Sequence, residues 1–434
     1  MPAKCAAPRA TAHLSQEYRT PAWEQRKLGD ITEILSGARV RKGEWRTEGV
    51  PFYRSSDVMA AFNNTDNERV FISQELFKEL SARSGAPEQG DVMVTGGGSV
   101  GTPYIVPDNK PLYTKDADLI WIKHCADISP EFLYYFFVAP VFRSYIASIS
   151  HVGTIAHYTI EQVKDTSVGL PTQMAEQKMV GVFFKQLDTL ITLHQRKYDK
   201  LCVLKKSMLD KMFPKGGSLY PEIRFAGFTD PWEQRKLGEE LGFLRNNTLS
   251  RAELSNSEGT VFDIHYGDVL IKYGSVLDAE KADVPRIAND AVANRQTCDC
   301  LQDGDVIIAD TAEDSAVGKC TELCNSAGKK VFSGLHTMPL RPMRKYASGY
   351  LGHYLNSPAF HDQLLPLMQG IKVISVSRSA MEDMTMSVPS VAEQASIGAF
   401  FDRLDSLITL HQRKYCGVVS WMLGVALVRL SSEK

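Results

Sequence analysis

The chain of 434 residues has no apolar run long enough to cross a membrane. The closest approach is the uncharged run CGVVSWMLGVALV at 416–428, which is shorter than the roughly 18 residues that a spanning helix needs. The first twenty residues also lack the apolar core of a signal peptide. These absences predict a cytoplasmic protein without a membrane partner.

Strong net charge and a regular cysteine framework are also absent. The formal net charge is −2, so a polyanionic partner would have to meet local cationic patches. The eight cysteines are scattered except for one group of four. That group could hold a zinc ion, although its spacing is not that of a C-x-x-C site. We favour the alternative that its members are small buried strand residues, and we expect no metal site: Cys298, Cys300, Cys320 and Cys324.

A cofactor-binding motif is absent as well. The segment GGGSVG at Gly96–Gly101 formally matches G-x-G-x-x-G, but a dinucleotide site requires a helix to begin at the last glycine. Here TPYIVP follows, which is typical of a strand, and its two prolines exclude a helix. We therefore expect no cofactor, and a glycine-rich loop between strands that lets backbone N–H groups approach a phosphate or base.

Three words occur twice in the chain at nearly the same separation. WEQRKLG stands at 23–29 and again at 232–238, and GDVMVT at 90 is answered by GDVIIA at 304. AEQKMVGVFFKQLDTLITLHQRKY at 175–198 returns as AEQASIGAFFDRLDSLITLHQRKY at 392–415. A repeat of about two hundred residues is longer than the roughly 20–50 residues of a solenoid unit, so it indicates a duplicated domain.

The longest repeated word predicts a long helix in each half. Its apolar residues recur every three or four positions over several heptads. Pro214 ends the first helix, and Ser390 with Glu393 forms a capping box for the second. We expect the helices to pack antiparallel as a rod, the alternative being that each packs on its own domain. The predicted partner or coiled-coil residues are Phe184, Leu187, Ile191, His194, Tyr198, Leu201, Phe401, Leu404, Ile408 and His411.

The segments between these words alternate short β-rich runs with turns and close with a helical stretch. The fold class is therefore α+β, with two heads of mixed structure, two long antiparallel helices and a pseudo-twofold internal repeat. The predicted parts are a divergent N-terminal tail 1–21, a first head 22–171, a central long helix 172–214, a linker 215–230, a second head 231–389, and a distal helix with a divergent tail 390–434.

Basic and polar residues cluster in the predicted loops of both heads. Arginine and lysine suit guanine and phosphate, and asparagine suits adenine, so these loops predict a DNA-contacting surface. Each residue alone is more often a solvated surface group, but together, in equivalent places of the two copies, they favour a binding surface. The candidates are Arg39, Arg41, Lys42, Arg54, Ser55, Ser56, Gly98, Ser99, Thr154, His157, Tyr158, Arg245, Asn246, Asn247, Lys272, Tyr273, Lys372, Ser375 and Arg378.

The repeated words, together with LKKSMLDKMFP at 204–214, closely resemble the specificity subunit of type I restriction–modification systems. The resemblance covers roughly residues 22–415. It implies that each head is a target-recognition domain that reads one half of a bipartite double-stranded DNA site. It also implies an antiparallel coiled coil that docks methyltransferase subunits, expected to be two, and restriction or translocase subunits.

The same resemblance implies a non-catalytic chain that directs adenine methylation and DNA cleavage by its partners. A P-loop motif and the tetrapeptide of adenine methyltransferases are both absent from the sequence. Because the two heads differ in sequence, the target is expected to be asymmetric. The alternatives are an inactive or phase-variant specificity subunit, and a repeat scaffold that binds only proteins.

Overall fold

We describe the protein from a computed structural model. The structure describes residues 23–115, 118–149, 157–370 and 373–431, with side chains up to Gly417. The chain divides into two compact units, with boundaries between Thr192 and Leu193 and between Cys416 and Gly417. The first unit contains the first head, and the second unit contains the second head.

The described residues of the first head form nine strands and six α-helices, all shorter than twelve residues. The strands are β1 Glu24–Lys27, β2 Ile34–Ser36, β3 Val50–Tyr53, β4 Val70–Ile72, β5 Val92–Thr95, β6 Pro103–Ile105, β7 Tyr113–Thr114, β8 Leu119–Ile122 and β9 Ser167–Leu170. The helices are α1 Leu28–Ile31, α2 Ser55–Asn63, α3 Gln74–Ser84, α4 Pro130–Val138, α5 Pro140–Ile149 and α6 Ile160–Asp165. A long helix, α7 Met174–Lys211, follows.

Two small sheets form the body of the first head. One has the order β2-β8-β5-β6 and the other β4-β3-β7, and β1 pairs with β9 separately. Strands β5 and β8 are buried along their whole length, as their continuous apolar runs VMVT and LIWI require. Helix α4 packs Phe132, Leu133 and Phe137 into the same core.

The second head contains the remaining strands and shorter helices. The strands are β10 Glu233–Lys236, β11 Leu241–Phe243, β12 Leu254–Ser255, β13 Phe262–Ile264, β14 Val276–Asp278, β15 Arg286–Ile287, β16 Val306–Ala309, β17 Thr311–Ala312, β18 Cys320–Cys324, β19 Val331–Ser333, β20 Thr337–Pro342, β21 Ile374–Ser375 and β22 Thr385–Val388. The helices are α8 Leu237–Glu240, α9 Tyr266–Ile271, α10 Asp290–Arg295, α11 Tyr350–Leu355, α12 Pro358–Leu364 and α13 Arg378–Glu382, and α14 Val391–Ser431 follows.

The second head repeats the topology of the first and extends it. Its sheets have the orders β11-β20-β16-β18-β14 and β12-β15-β13-β19, with the pairs β10-β22 and β17-β21 beside them. The inner strands correspond one to one: β2, β8, β5 and β6 match β11, β20, β16 and β18. The duplication inferred from the words therefore extends to segments whose sequences no longer match.

The word WEQRKLG forms the same structure in both heads. Its strand pairs antiparallel with the strand that leads into the long helix, Lys27 opposite Ser167 and Lys236 opposite Thr385. The leucine that follows is fully buried in each copy, at Leu28 and Leu237. Each copy of the word thus forms the first strand of a head and pairs with the last strand of that head.

The long helices begin and end close to the predicted positions. Helix α7 covers 38 residues and stops before the buried Met212, Phe213 and Pro214. The predicted capping box is half correct, because Ser390 accepts a hydrogen bond from the Glu393 backbone at 3.3 Å. The Glu393 carboxylate binds the Arg224 guanidinium instead, through two contacts of 2.8 Å. A bidentate ion pair is a stronger partner for a buried carboxylate than one backbone N–H.

A buried glutamine joins the start of each long helix to its head. Gln177 accepts from the Ser129 N–H at 2.9 Å and donates to the Pro171 carbonyl at 3.1 Å. Gln394 accepts from the Ala347 N–H at 3.0 Å and donates to the Pro389 carbonyl at 3.0 Å. The AEQ portion of the repeated word is therefore a docking contact between helix and head.

Within the described ranges, no single helix is long and apolar enough to cross a membrane. Helices α4 and α5 reach that length and composition only when they are taken together as a bent pair. Their residues Phe132, Leu133, Phe137 and Phe142 are buried in the core of the first head.

The docking contact makes a prediction about stability. Gln394→Ala removes the partner of the half-buried Ala347 N–H and of the buried Pro389 carbonyl, and each buried group left without a partner costs about 1–3 kcal/mol. We expect the midpoint of denaturant unfolding to fall accordingly. Gln412→Ala, at an exposed position of the same helix, is the matched control and should change the midpoint little. Equal midpoints for the two variants would contradict the docking role.

Candidate DNA-contacting surface

Three segments of the first head meet at one end of its larger sheet. Thr95 pairs with Leu119, and Ser36 pairs with Ile120. The residues that follow β2 and β5 and those that precede β8 therefore emerge at the same end. Polar and glycine-rich segments occupy these positions, so this end of the sheet is the candidate surface.

Asp118 organises the glycine-rich part of this surface. Its carbonyl oxygen accepts from the Gly96 N–H at 2.8 Å and from the Ser55 hydroxyl at 3.0 Å. The Gly96 carbonyl in turn accepts from the Tyr158 N–H at 2.7 Å, which brings the exposed His157 alongside. The structure thus brings four predicted residues into one neighbourhood: Ser55, Gly98, Ser99 and His157.

The segment 37–49, which we call the first cationic loop, follows β2 at the same end. Arg39, Arg41 and Lys42 are all exposed. A short 3-10 turn, Lys42–Glu44, shapes the loop, with the Glu44 carboxylate accepting from the Arg41 N–H at 2.6 Å. None of the three cations forms an ion pair within the described part of the chain. Their charges are therefore available to an anionic ligand.

The second head has an equivalent end of the sheet. Ala309 pairs with Thr337 at the end of β16, and the segment 244–253, the second cationic loop, follows β11 there. A 3-10 turn, Arg251–Glu253, shapes this loop as its counterpart shapes the first, with Glu253 accepting from the Ser250 N–H at 2.8 Å. Sequence comparison missed this match, because only the glutamate is shared between the two turns.

Several predicted residues lie together on this second surface. Arg245 and Arg378 are exposed, and the Arg378 guanidinium lies 4.4 Å from the centre of the Phe243 ring. Asn246 is half-buried in the second cationic loop, where its amide donates to the Gly334 carbonyl at 3.1 Å. The exposed Ser375 pairs with Thr311 beside the β16–β18 loop. The contact between Arg378 and the Phe243 ring was not predicted from the sequence, because the two residues are far apart in the chain.

Three other candidates are interior residues, which corrects their interpretation as DNA contacts. Tyr158 is 1% exposed and its hydroxyl bonds to Thr166 at 2.5 Å. Asn247 is 3% exposed and donates to the Asp263 carboxylate at 2.5 Å. Tyr273 is 5% exposed, within the core of the second head. Tyr158 and Asn247 make internal hydrogen bonds and Tyr273 packs in the core, so none of the three side chains is exposed for contact with DNA.

Two further cations are already engaged by the protein. Arg54 is half-buried and bonds to Asp57 at 3.1 Å and to the Glu68 carbonyl. Lys272 bonds to Asp283. The candidate Ser56 is exposed, and its hydroxyl accepts a hydrogen bond from the Asn67 amide at 3.2 Å. Thr154 and Lys372 lie outside the described residues.

The four grouped cysteines do not converge on a metal site in the described part of the chain. A search of those residues finds no group of three or more His, Cys, Asp or Glu side chains with suitable geometry. Cys320 and Cys324 lie at the two ends of strand β18. Burial raises the pKa of the Cys298 and Cys324 thiols to about 11, so the thiol is their stable form at neutral pH.

The two copies of one histidine meet each other in the second unit. The Nδ1 atoms of His194 and His411 are 3.0 Å apart, and their ring centres are 5.2 Å apart. Further along, Lys205 donates to Asp405 at 2.8 Å. From the first contact to the second, the residue number rises in one helix and falls in the other. The segments 193–211 and 391–416 therefore run antiparallel. The predicted antiparallel pairing is therefore present within this unit.

Other predicted seam residues pack on the heads. The Phe184 ring lies 5.3 Å from that of Tyr135 in helix α4 of the first head. Phe401 is fully buried and stacks on Phe213 at 5.9 Å within the core of the second head. The sequence analysis treated packing of the helices on each other and packing of each helix on its own head as alternatives. Both kinds of packing are present, so the two are not exclusive. The rest of the predicted seam is buried or half-buried: Leu187, Ile191, Tyr198, Leu201, Leu404 and Ile408.

The environment of His411 disfavours its charged form. Burial lowers the pKa of His411 below its usual value of 6.5, and the positive charges of Lys197 and Lys414 and the neighbouring His194 lower it further. In the neutral pair one ring nitrogen can donate to the other, whereas two protonated rings would repel each other. The contact therefore stabilises the unit when the two histidines are neutral.

Comparison with known proteins identifies the first head. Residues 21–202 match the family described as the type I restriction modification DNA specificity domain. The match covers the first head and most of helix α7. A Haemophilus influenzae protein named as a type I restriction enzyme specificity subunit is 24% identical over 170 residues, 38% of this chain. The match spans about two fifths (41%) of that relative's length. The resemblance to specificity subunits that the repeated words indicate is thereby confirmed.

Solved structures resemble the chain over nearly all of its length. A type I restriction–modification S subunit from M. genitalium has a TM-score of 0.50 at 13% identity, with 95% of this chain and 97% of that chain covered. An HsdS subunit from Thermoanaerobacter tengcongensis has a TM-score of 0.46 at 14% identity, with the same coverage. At such identity, the M. genitalium likeness is one of fold, and it extends over the second head as well as the first.

The histidine pair predicts a pH dependence. Because the folded pKa of His411 is lowered, its contribution to stability is complete above pH 6.5 and is lost as the pH falls through the lower folded value. We expect wild-type thermal stability to drop more steeply than that of His411→Gln between about pH 7.5 and about pH 5. His157→Gln, at an exposed position in the first head, should behave as wild type. Parallel curves for wild type and His411→Gln would contradict this role.

Proposed function

We propose that this chain is the non-catalytic DNA-recognition subunit of a type I restriction–modification complex. The observation that carries the proposal is the match between the two heads, each presenting exposed cations at the same end of the same sheet. Each head would read one half of a bipartite site. Because the loops differ in sequence and length, the two halves would differ and the target would be asymmetric.

The charges of the first head support contact with a duplex. The whole chain is nearly neutral at −2, so attraction to phosphate must come from local groups such as Arg39, Arg41 and Lys42. Arginine and lysine neutralise phosphates and release counterions, which gives affinity, while base-edge contacts give specificity. The exposed glycine loop at Gly98 and Ser99 leaves room for a close approach of the backbone.

Methyltransferase subunits, expected to be two, and restriction or translocase subunits would supply the chemistry of adenine methylation and DNA cleavage. Apolar side chains on one stretch of helix α7 in the first unit are exposed: Met179 by 66%, Val182 by 49% and Leu190 by 44%. Contiguous exposed apolar side chains mark protein-binding surfaces. We assign this stretch to a partner subunit.

The first cationic loop predicts a salt-dependent effect on DNA binding. For the assembled complex, Arg39→Ala with Arg41→Ala should reduce the slope of log affinity against log salt by about one for each lost phosphate contact. Adenine methylation mapped in a host carrying the system should then change in one half of the motif only. The measurement is titration of a labelled duplex at several salt concentrations, followed by methylation mapping.

The matched control is Lys110→Ala with Lys123→Ala. Both lysines lie toward the opposite end of the sheet, after β6 and β8. This variant removes the same charge and should leave the salt slope and motif unchanged. If the complex binds DNA with no salt dependence, or if wild-type cells carry no methylated motif that depends on this chain, the protein-only scaffold is the better interpretation.

The exposed stretch of α7 predicts a loss of assembly. Val182→Glu should reduce the yield of complex with methyltransferase subunits, because burying a new carboxylate in an apolar interface is costly. Val141→Glu places the same charge on another exposed valine, which is 60% exposed in the first head, and should assemble normally. Co-purification and the melting temperature of the free chain are measured together. Equal yields for both variants would contradict the assignment.

A further inference from the structure

The two cationic loops are held in place by different buried groups. In both heads the loop follows an equivalent strand and contains an equivalent 3-10 turn. A loop whose side chains contact bases must be held by residues beneath it, because a displacement of about 1 Å is enough to lose directional hydrogen bonds. The groups beneath these loops are therefore candidates for setting what each head recognises.

Asn247 anchors the second cationic loop at three points. Its backbone N–H donates to the Ser333 carbonyl at 2.8 Å, and its amide group donates to the Asp263 carboxylate at 2.5 Å. Its side-chain oxygen accepts from the Leu249 N–H at 3.0 Å. The anchored residue lies between Arg245 and Arg251, the two cations of the loop. Their positions on the surface thus depend on a buried amide.

Asp263 is the fixed end of this anchor. It is fully buried in strand β13, and Gly334 approaches its other carboxylate oxygen so closely that a side chain at 334 would collide with it. Burial raises the pKa of Asp263 to about 6, and the hydrogen bond from Asn247 opposes that rise. A buried carboxylate is costly to keep, so its presence under a loop needs a reason beyond packing.

A phenol has the corresponding place in the first head. The buried Tyr113 hydroxyl accepts from the Ala38 N–H at 2.8 Å and lies 2.7 Å from the Ser84 hydroxyl. Ala38 adjoins Arg39, the first cation of its loop. Tyr113 pairs with Phe52, and Asp263 pairs with Phe332, in the parallel strand pairs β3–β7 and β13–β19. The same strand pair therefore carries the anchor in both heads, but on opposite strands and with different chemistry.

We infer that Tyr113 and the Asp263–Asn247 pair are head-specific positioning residues, which set the base preference of their own head by placing its cationic loop. The inference rests on the proposed function. It explains how two heads with one topology can hold similar cations at different positions over DNA. It also assigns specificity to residues that do not touch DNA, and which a search for exposed basic side chains would miss.

The test maps methylated adenines in cells that carry the complete system with wild type, Asn247→Ala, Tyr113→Phe or Asp263→Asn. Asn247→Ala should reduce discrimination in one half of the motif by about tenfold or more, the effect of losing one good base contact. Tyr113→Phe should relax the other half only. Asp263→Asn keeps an acceptor for Asn247 and should preserve the motif. Thermal unfolding of each purified chain accompanies the mapping.

The outcomes separate the two proposals. If the wild-type chain directs no methylated motif, the proposed function fails, and this inference fails with it. If the wild-type motif is present but Asn247→Ala lowers methylation evenly at all sites without changing the motif, the residue is only structural and the inference is overturned. A change in both halves of the motif by either single variant would also overturn it.

Discussion

The buried glutamine at the start of each long helix is the contact on which the helix placement depends. A carboxamide with both a donor and an acceptor is directional, so Gln177 and Gln394 fix the rotation of their helices relative to the heads. Close approach is fixed separately, since a side chain added at Gly181 would meet Glu131 and one added at Gly398 would meet Ser348. A polar contact and a steric one together leave the helix a single orientation. That explains why these letters recur unchanged in both copies.

The same reasoning separates the parts of the chain that must stay alike from those that are free to differ. WEQRKLG closes each head through a strand pair and a buried leucine, so substitution there would open the head. The cationic loops do not form the strand pair that closes a head. The two loops share little more than a glutamate that shapes a 3-10 turn. Duplication could therefore preserve the frame of each head while its surface changed.

The sequence predicted the long-range plan better than the site. Helical periodicity over several heptads placed α7 and α14 within a few residues, because such a pattern survives any local environment. Polar residues in loop-like segments were assigned to the surface, and this failed for Asn247 and Tyr158, whose partners Asp263 and Thr166 satisfy them internally. The capping box was half correct because Arg224, distant in sequence, takes the Glu393 carboxylate. Each of these three errors concerns a polar group whose partner only the folded chain brings near.

The heads also present their cations in physically different ways. In the second head Arg245, Arg251 and Arg378 bond to carboxylates at 3.3, 2.5 and 3.2 Å, from Asp299, Asp268 and Glu382. A guanidinium held in this way loses less conformational freedom when it meets a ligand, but part of its charge is already neutralised. Arg39, Arg41 and Lys42 of the first head lack such partners among the described residues, so they keep their full charge and their mobility. Under the proposed function, long-range attraction to phosphate would favour the first head, and geometric selection would favour the second. The difference arises from which loops carry acidic neighbours, since the topology of the two heads is the same.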